Sequence, residues 1–121
     1  MTTRIIALVM VSLAFVGGCG GSKTSGPSSH SQPALVFDVT ISNGNVNPTN
    51  AELKAKVRQP IQVRVNSDAV DELHVHSVPD HTFQVEAKPN QTFQFTVDVP
   101  EQVEVELHKL DRTVATIQVQ Q

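Results

Sequence analysis

From Leu35 to the end of the chain, apolar residues recur at every second position, and that period admits half-buried strands and little else. Leu35, Phe37, Val39 and Ile41 alternate with Val36, Asp38 and Thr40. The same beat runs through Leu53–Val57, Ile61–Val65, Leu73–Val75, Phe83–Val85, Phe93–Val99, Val103–Leu107 and Ala115–Val119. No window shows the three-to-four spacing of an amphipathic helix. Gln59-Pro60, Val78-Pro79-Asp80, Lys88-Pro89-Asn90 and Val99-Pro100 punctuate the runs with turn chemistry. Ser42–Asn50, rich in Asn, Gly and Pro, reads as one long turn region. About eight short strands at regular spacing predict an all-β sandwich or barrel over residues 35–121. A domain of that size buries a modest core.

The first nineteen residues follow different rules. Arg4 precedes an apolar run, Ile5 to Val16, and then Gly17-Gly18-Cys19. That layout is a secretory signal peptide, with an apolar run too short to cross a bilayer core of ~30 Å as a helix. Val16-Gly17-Gly18-Cys19 resembles a bacterial lipobox, which implies cleavage after residue 18 and lipidation of Cys19. The small residues let an extended backbone enter a peptidase, and the thiol accepts a diacylglycerol as a thioether. Several acyl chains on one residue give stable anchoring. Residues 20–34 are rich in Gly, Ser and Pro and read as a flexible tether that includes His30. The expected organisation is a signal peptide at 1–18, a lipidated Cys19 and tether at 19–34, and a β-domain at 35–121. The expected location is the extracytoplasmic side of a cell membrane.

Charge and cysteine count narrow the function. The chain carries nine Lys+Arg and twelve Asp+Glu, a net charge of −3. Removing residues 1–18 takes away Arg4 alone, so eight basic residues face twelve acidic ones, or −4. Nucleic acid requires a basic footprint, and none exists here. The single cysteine allows no internal disulfide and no multi-thiolate zinc cluster. There is no nucleophile elbow, phosphate-binding loop or dinucleotide fingerprint, so the sequence gives no reason to expect an enzyme.

The histidines carry the remaining chemistry. His74 and His76 alternate with Leu73 and Val75, so both project from one face of a strand, ~6–7 Å apart along the chain. Neutral imidazole is a good ligand for copper and zinc. His108 follows a second run, beside Glu104 and Glu106, and could supply a third nitrogen. His81, beyond the Pro79 turn, is a fourth candidate. Glu72, Glu104 and Glu106 are either partners that orient imidazoles or surface charges that protect strand edges.

Three stretches together resemble a cupredoxin-like domain: Val39–Pro48, Gln59–Asp68 and Asp71-Glu72-Leu73-His74-Val75-His76. The tail, Val103–His108 and Ala115–Val119, extends the resemblance over most of residues 35–121. It implies a Greek-key β-sandwich. It also implies that the family's first copper histidine falls on His74 and its copper cysteine near His108. The family's second histidine and methionine would fall between 109 and 115, where this chain has Lys109-Leu110-Asp111-Arg112-Thr113-Val114-Ala115. A blue-copper centre needs a thiolate, and its ligands are absent. Two readings follow. One is an accessory lipoprotein that binds Cu(II) or Zn(II) through His74, His76 and His108. The other is a metal-free, monomeric sandwich that docks an envelope protein through exposed apolar residues, with Val36, Val46, Val78 and Leu110 as candidates.

Overall fold

The computed structural model describes residues 32–121. The expected signal peptide, Cys19, His30 and most of the expected tether lie outside the described residues. Nine strands form the regular structure of the described residues. One sheet contains β1 (Leu35–Ser42), β2 (Asn45–Asn47), β4 (Ile61–Ser67) and β7 (Gln91–Phe95), in the order β2-β1-β4-β7. The other contains β3 (Ala51–Lys56), β5 (Asp71–His76), β6 (His81–Val85), β8 (Glu101–Leu107) and β9 (Arg112–Gln120), in the order β3-β9-β8-β5-β6.

The alternation explains why these two sheets stack. Val39, Ile41, Ile61, Val63 and Val65 from one sheet are buried with Leu73, Val75, Val103, Val105, Leu107 and Ile117 from the other. Their neighbours in sequence face water, as half-buried strands require. Both β1–β4 and β3–β9 pair in parallel, while the remaining pairs are antiparallel. Parallel partners need long crossovers, so the chain passes between sheets instead of forming a simple meander. The open side is closed by aromatic rings: Phe83 lies 5.1 Å from Phe93 and 6.3 Å from Phe95, centroid to centroid.

Three buried polar residues extend the inward rows of their strands. Ser67 follows Val65, Asp71 precedes Leu73, and Gln91 precedes Phe93. Each lies where a strand meets a loop, at the end of the sandwich away from the start of β1, and each fastens that loop. The Ser67 hydroxyl donates to the Ala69 carbonyl at 2.6 Å. Gln91 donates to the Glu86 and Lys88 carbonyls and accepts from the Glu86 amide. The Asp71 carboxylate accepts from the amides of Glu72, Lys109 and Leu110 at 2.6, 2.8 and 3.2 Å.

The structure refines the expected strand map in three places. Ser42–Asn50 is not one long turn: Asn43 and Gly44, with φ of 51° and 75°, make a tight reversal into β2. An Asn-Gly pair in the left-handed region is the preferred two-residue hairpin. The run Phe93–Val99 does not continue as one strand: β7 ends at Phe95, and the Val97 carbonyl accepts from the Arg58 amide at 2.9 Å. A register shift between Val105 and Glu106 sets Val114 as well as Ala115 inward, both fully buried. A bulge is the usual way to place two consecutive residues on one face.

Candidate metal centre

β5 lies inside its sheet, between β6 and β8. Leu73 and Val75 fill the core, so His74 and His76 must project from the outer face. The pairing sets His74 between Thr82 and Glu106, and His76 beside Glu104. The two rings lean together, with centroids 4.0 Å apart and planes tilted by 44°.

A carboxylate flanks each ring. His74 Nε2 is 2.9 and 3.2 Å from the two oxygens of Asp80, which the β5–β6 turn folds back over the strand. His76 Nε2 is 2.9 Å from Glu106 Oε2, reached diagonally across the β5–β8 pair. Asp80, His74, His76 and Glu106 thus form one continuous row. His74 and Glu106 are the most covered members, at 27% and 36% side-chain exposure, so the centre of the row is partly shielded.

His108 does not join this row. It follows Leu107, which pairs with Leu73, and its amide donates to the Glu72 carbonyl at 2.9 Å. His108 is therefore level with Glu72, whereas His76 is level with Glu104. Four residue steps at about 3.3 Å each separate those levels by ~13 Å. Strand direction is the cause: β8 and β5 are antiparallel, so the end of one lies beside the beginning of the other. His108 instead lines a shallow depression with Glu106, Asp111, Arg112 and Thr113. Among the described residues no group of three or more His, Cys, Asp or Glu side chains is placed to hold one metal ion. The structure brings His74 and His76 together and leaves the expected third ligand apart.

The remaining candidates have other partners. His81 shares the inward row of Phe83 and Val85, stacks near Phe83 and Phe95, and places Nε2 3.3 Å from the Thr96 carbonyl. Glu72 accepts from the Gln84 side chain at 3.0 Å. Asp80 was not among the sequence candidates, although Pro79-Asp80 immediately before a strand marks a turn that can return a carboxylate to the preceding strand.

No family model and no curated protein matches the chain. Solved structures do match. A copper binding protein in its apo form, determined by NMR, superposes with a TM-score of 0.55 at 9% identity, over 73% of this chain and 89% of that one. An amicyanin mutant in its Cu(I) form gives a TM-score of 0.48 at 15% identity, over 69% and 81%. A second amicyanin mutant, also Cu(I), gives 0.49 at 17%, over 73% and 83%. Strand topology and the first of these likenesses define the fold: an all-β sandwich of two sheets, consistent with the cupredoxin-like architecture that the sequence resemblance implies.

The residues present do not fit a blue-copper centre. Such a centre requires a thiolate, and the only cysteine in the sequence is Cys19. Near the place where the resemblance implies the cysteine, residue 108 carries an imidazole. Only residues 108–111 separate β8 from β9, and their backbone is held by Asp71.

Proposed function

We propose that the chain is an extracytoplasmic, membrane-tethered cupredoxin-like protein that binds Cu(II) or Zn(II) through His74 and His76. The observation that carries this reading is the 4.0 Å approach of the two imidazoles on one outer sheet face. Two neutral nitrogen donors with carboxylates alongside suit a borderline divalent ion better than a soft monovalent one. The lipobox-like Val16–Cys19 supports the tether, and the copper binding protein that shares the fold supports the choice of ion. His108, level with Glu72 at the other end of the β5–β8 pair, takes no part in this site. The role is to hold or hand on a metal outside the cytoplasm.

Calorimetric titration of the full chain in detergent micelles with Cu(II) and with Zn(II) tests this. The expected result is saturable binding that His74→Ala and His76→Ala each weaken by at least about tenfold. Equal affinity in the wild type and a His74→Ala/His76→Ala double variant would remove the site.

One observation favours the metal-free reading. Val78 and Val99 are exposed, and the Asp98 amide donates to the Val78 carbonyl at 2.8 Å, which brings the two loops together. Of the expected apolar candidates, Val36 and Val78 are exposed, whereas Val46 and Leu110 pack on the core. A chain that ignores metal but loses an envelope partner on Val78→Ser/Val99→Ser would support this second reading.

A further inference from the structure

The row of four side chains also determines which nitrogen atoms would meet a metal. This inference rests on the metal-binding reading above. A carboxylate offers only acceptor lone pairs, so any hydrogen bond to it requires a proton on the partner. Both contacts run through Nε2, at 2.9 Å to Asp80 and 2.9 Å to Glu106. A neutral imidazole carries one N–H. A proton on Nε2 therefore leaves Nδ1 as the bare lone pair in both rings.

We propose that Asp80 and Glu106 are positioning residues that hold His74 and His76 as Nε2–H tautomers, so that the two Nδ1 atoms bind the ion. Carboxylates that take the second N–H of a metal-bound histidine are a common arrangement, because they fix the tautomer and raise the basicity of the other nitrogen. The arrangement needs no carboxylate in direct contact with the ion. Two nitrogens would hold the metal, and water would complete its shell. The two halves differ in kind. Asp80 reaches its ring from a turn six residues along the chain, with both oxygens near Nε2. Glu106 reaches its ring from a neighbouring strand. His74 is thereby tied to the β5–β6 turn, and His76 to β8.

Multiple-bond 1H–15N spectra of the full chain in micelles, at about pH 8 where imidazole is ordinarily neutral, read the tautomer of each ring directly. The metal-free wild type should show Nε2–H in both rings. Zn(II) should then move the Nδ1 resonances of His74 and His76. Asp80→Ala and Glu106→Ala should each weaken Zn(II) binding by roughly 10–100-fold and blur the tautomer of the facing ring only. Asp80→Asn, which keeps an acceptor oxygen, should fall between Asp80→Ala and wild type. Asp80 is exposed and Glu106 half-buried, and unchanged circular dichroism would confirm folding of each variant. Nδ1–H tautomers in the metal-free chain, Zn(II) shifts at Nε2, or wild-type affinity in both alanine variants would overturn this assignment while leaving metal binding intact. A Zn(II) titration that moves neither ring would overturn the metal-binding reading beneath it.

Discussion

Replacing Asp71 by alanine should cost the domain more stability than removing any surface charge, and the structure supplies the reason. Asp71 is 1% exposed, and its carboxylate accepts three backbone amides. Two of those amides, Lys109 and Leu110, belong to the turn that joins β8 to β9. Alanine leaves three donors without their acceptor. A buried donor without a partner costs about 1–3 kcal/mol. Lys109 is exposed, so water can replace its lost partner. Leu110 packs on the core and Glu72 is only partly exposed, so their amides are served less well. The expected loss is about 2–4 kcal/mol, for one to two orphaned amides. Urea unfolding followed by circular dichroism would register it as a midpoint lower by roughly 1–4 M, with m near 1–2 kcal/mol/M for a domain of this size. Asp71→Asn keeps one acceptor oxygen and should lose about half as much. A midpoint shift for Asp71→Ala below about 0.5 M would show that the turn is held by its own packing, and the reasoning from orphaned amides would fail.

His108→Ala should leave Cu(II) and Zn(II) affinity within about twofold of wild type, because His108 stands about four residue steps along the sheet from His76; calorimetry beside His76→Ala reads the contrast. Gly44→Val should cost about 1–2 kcal/mol through backbone strain alone, since φ is +75° and a Cβ there meets nothing within 4 Å. Gly44→Asn, which tolerates the left-handed region, should recover most of that loss in a thermal melt. Leu73→Ala, fully buried at the centre of the sandwich, should cost about 2–5 kcal/mol by chemical denaturation. Cys19→Ala should leave the chain at its precursor mass, without the added mass of a thioether-linked diacylglycerol, as mass spectrometry reads it; an unchanged mature mass would refute lipidation.

Much of this fold was legible because a period of two is unambiguous where one face is buried. The core residues Val63, Val65, Leu73, Val75, Val103, Val105 and Leu107 all follow from that rule. The same parity also pointed inward at Asp71 and Gln91, which share rows with Leu73 and Phe93. Their polarity at the head of a strand masks that signal, because it resembles a turn. The β1–β2 hairpin had its signal in Asn43-Gly44, hidden within a longer polar stretch. The inward step to Val114 had none, since a bulge depends on the partner strand.

The candidate site divides along the same line. Facing direction is a local property, and it correctly put His74 and His76 side by side on the outer surface. Level along the sheet is a property of pairing, and nothing within Val103–His108 says which residue of β5 lies opposite. Register fixed Leu107 against Leu73, and that single pairing carried His108 past the end of the useful row while bringing Glu106 to His76. A shift of two residues would have preserved every inward side chain and exchanged those neighbours. The hydrophobic pattern alone tolerates such a shift. The Asp71 carboxylate does not, because its bonds to Lys109 and Leu110 hold the end of β8 at one level. Asp71 therefore links stability to the site: losing it should loosen the constraint that keeps Glu106 beside His76.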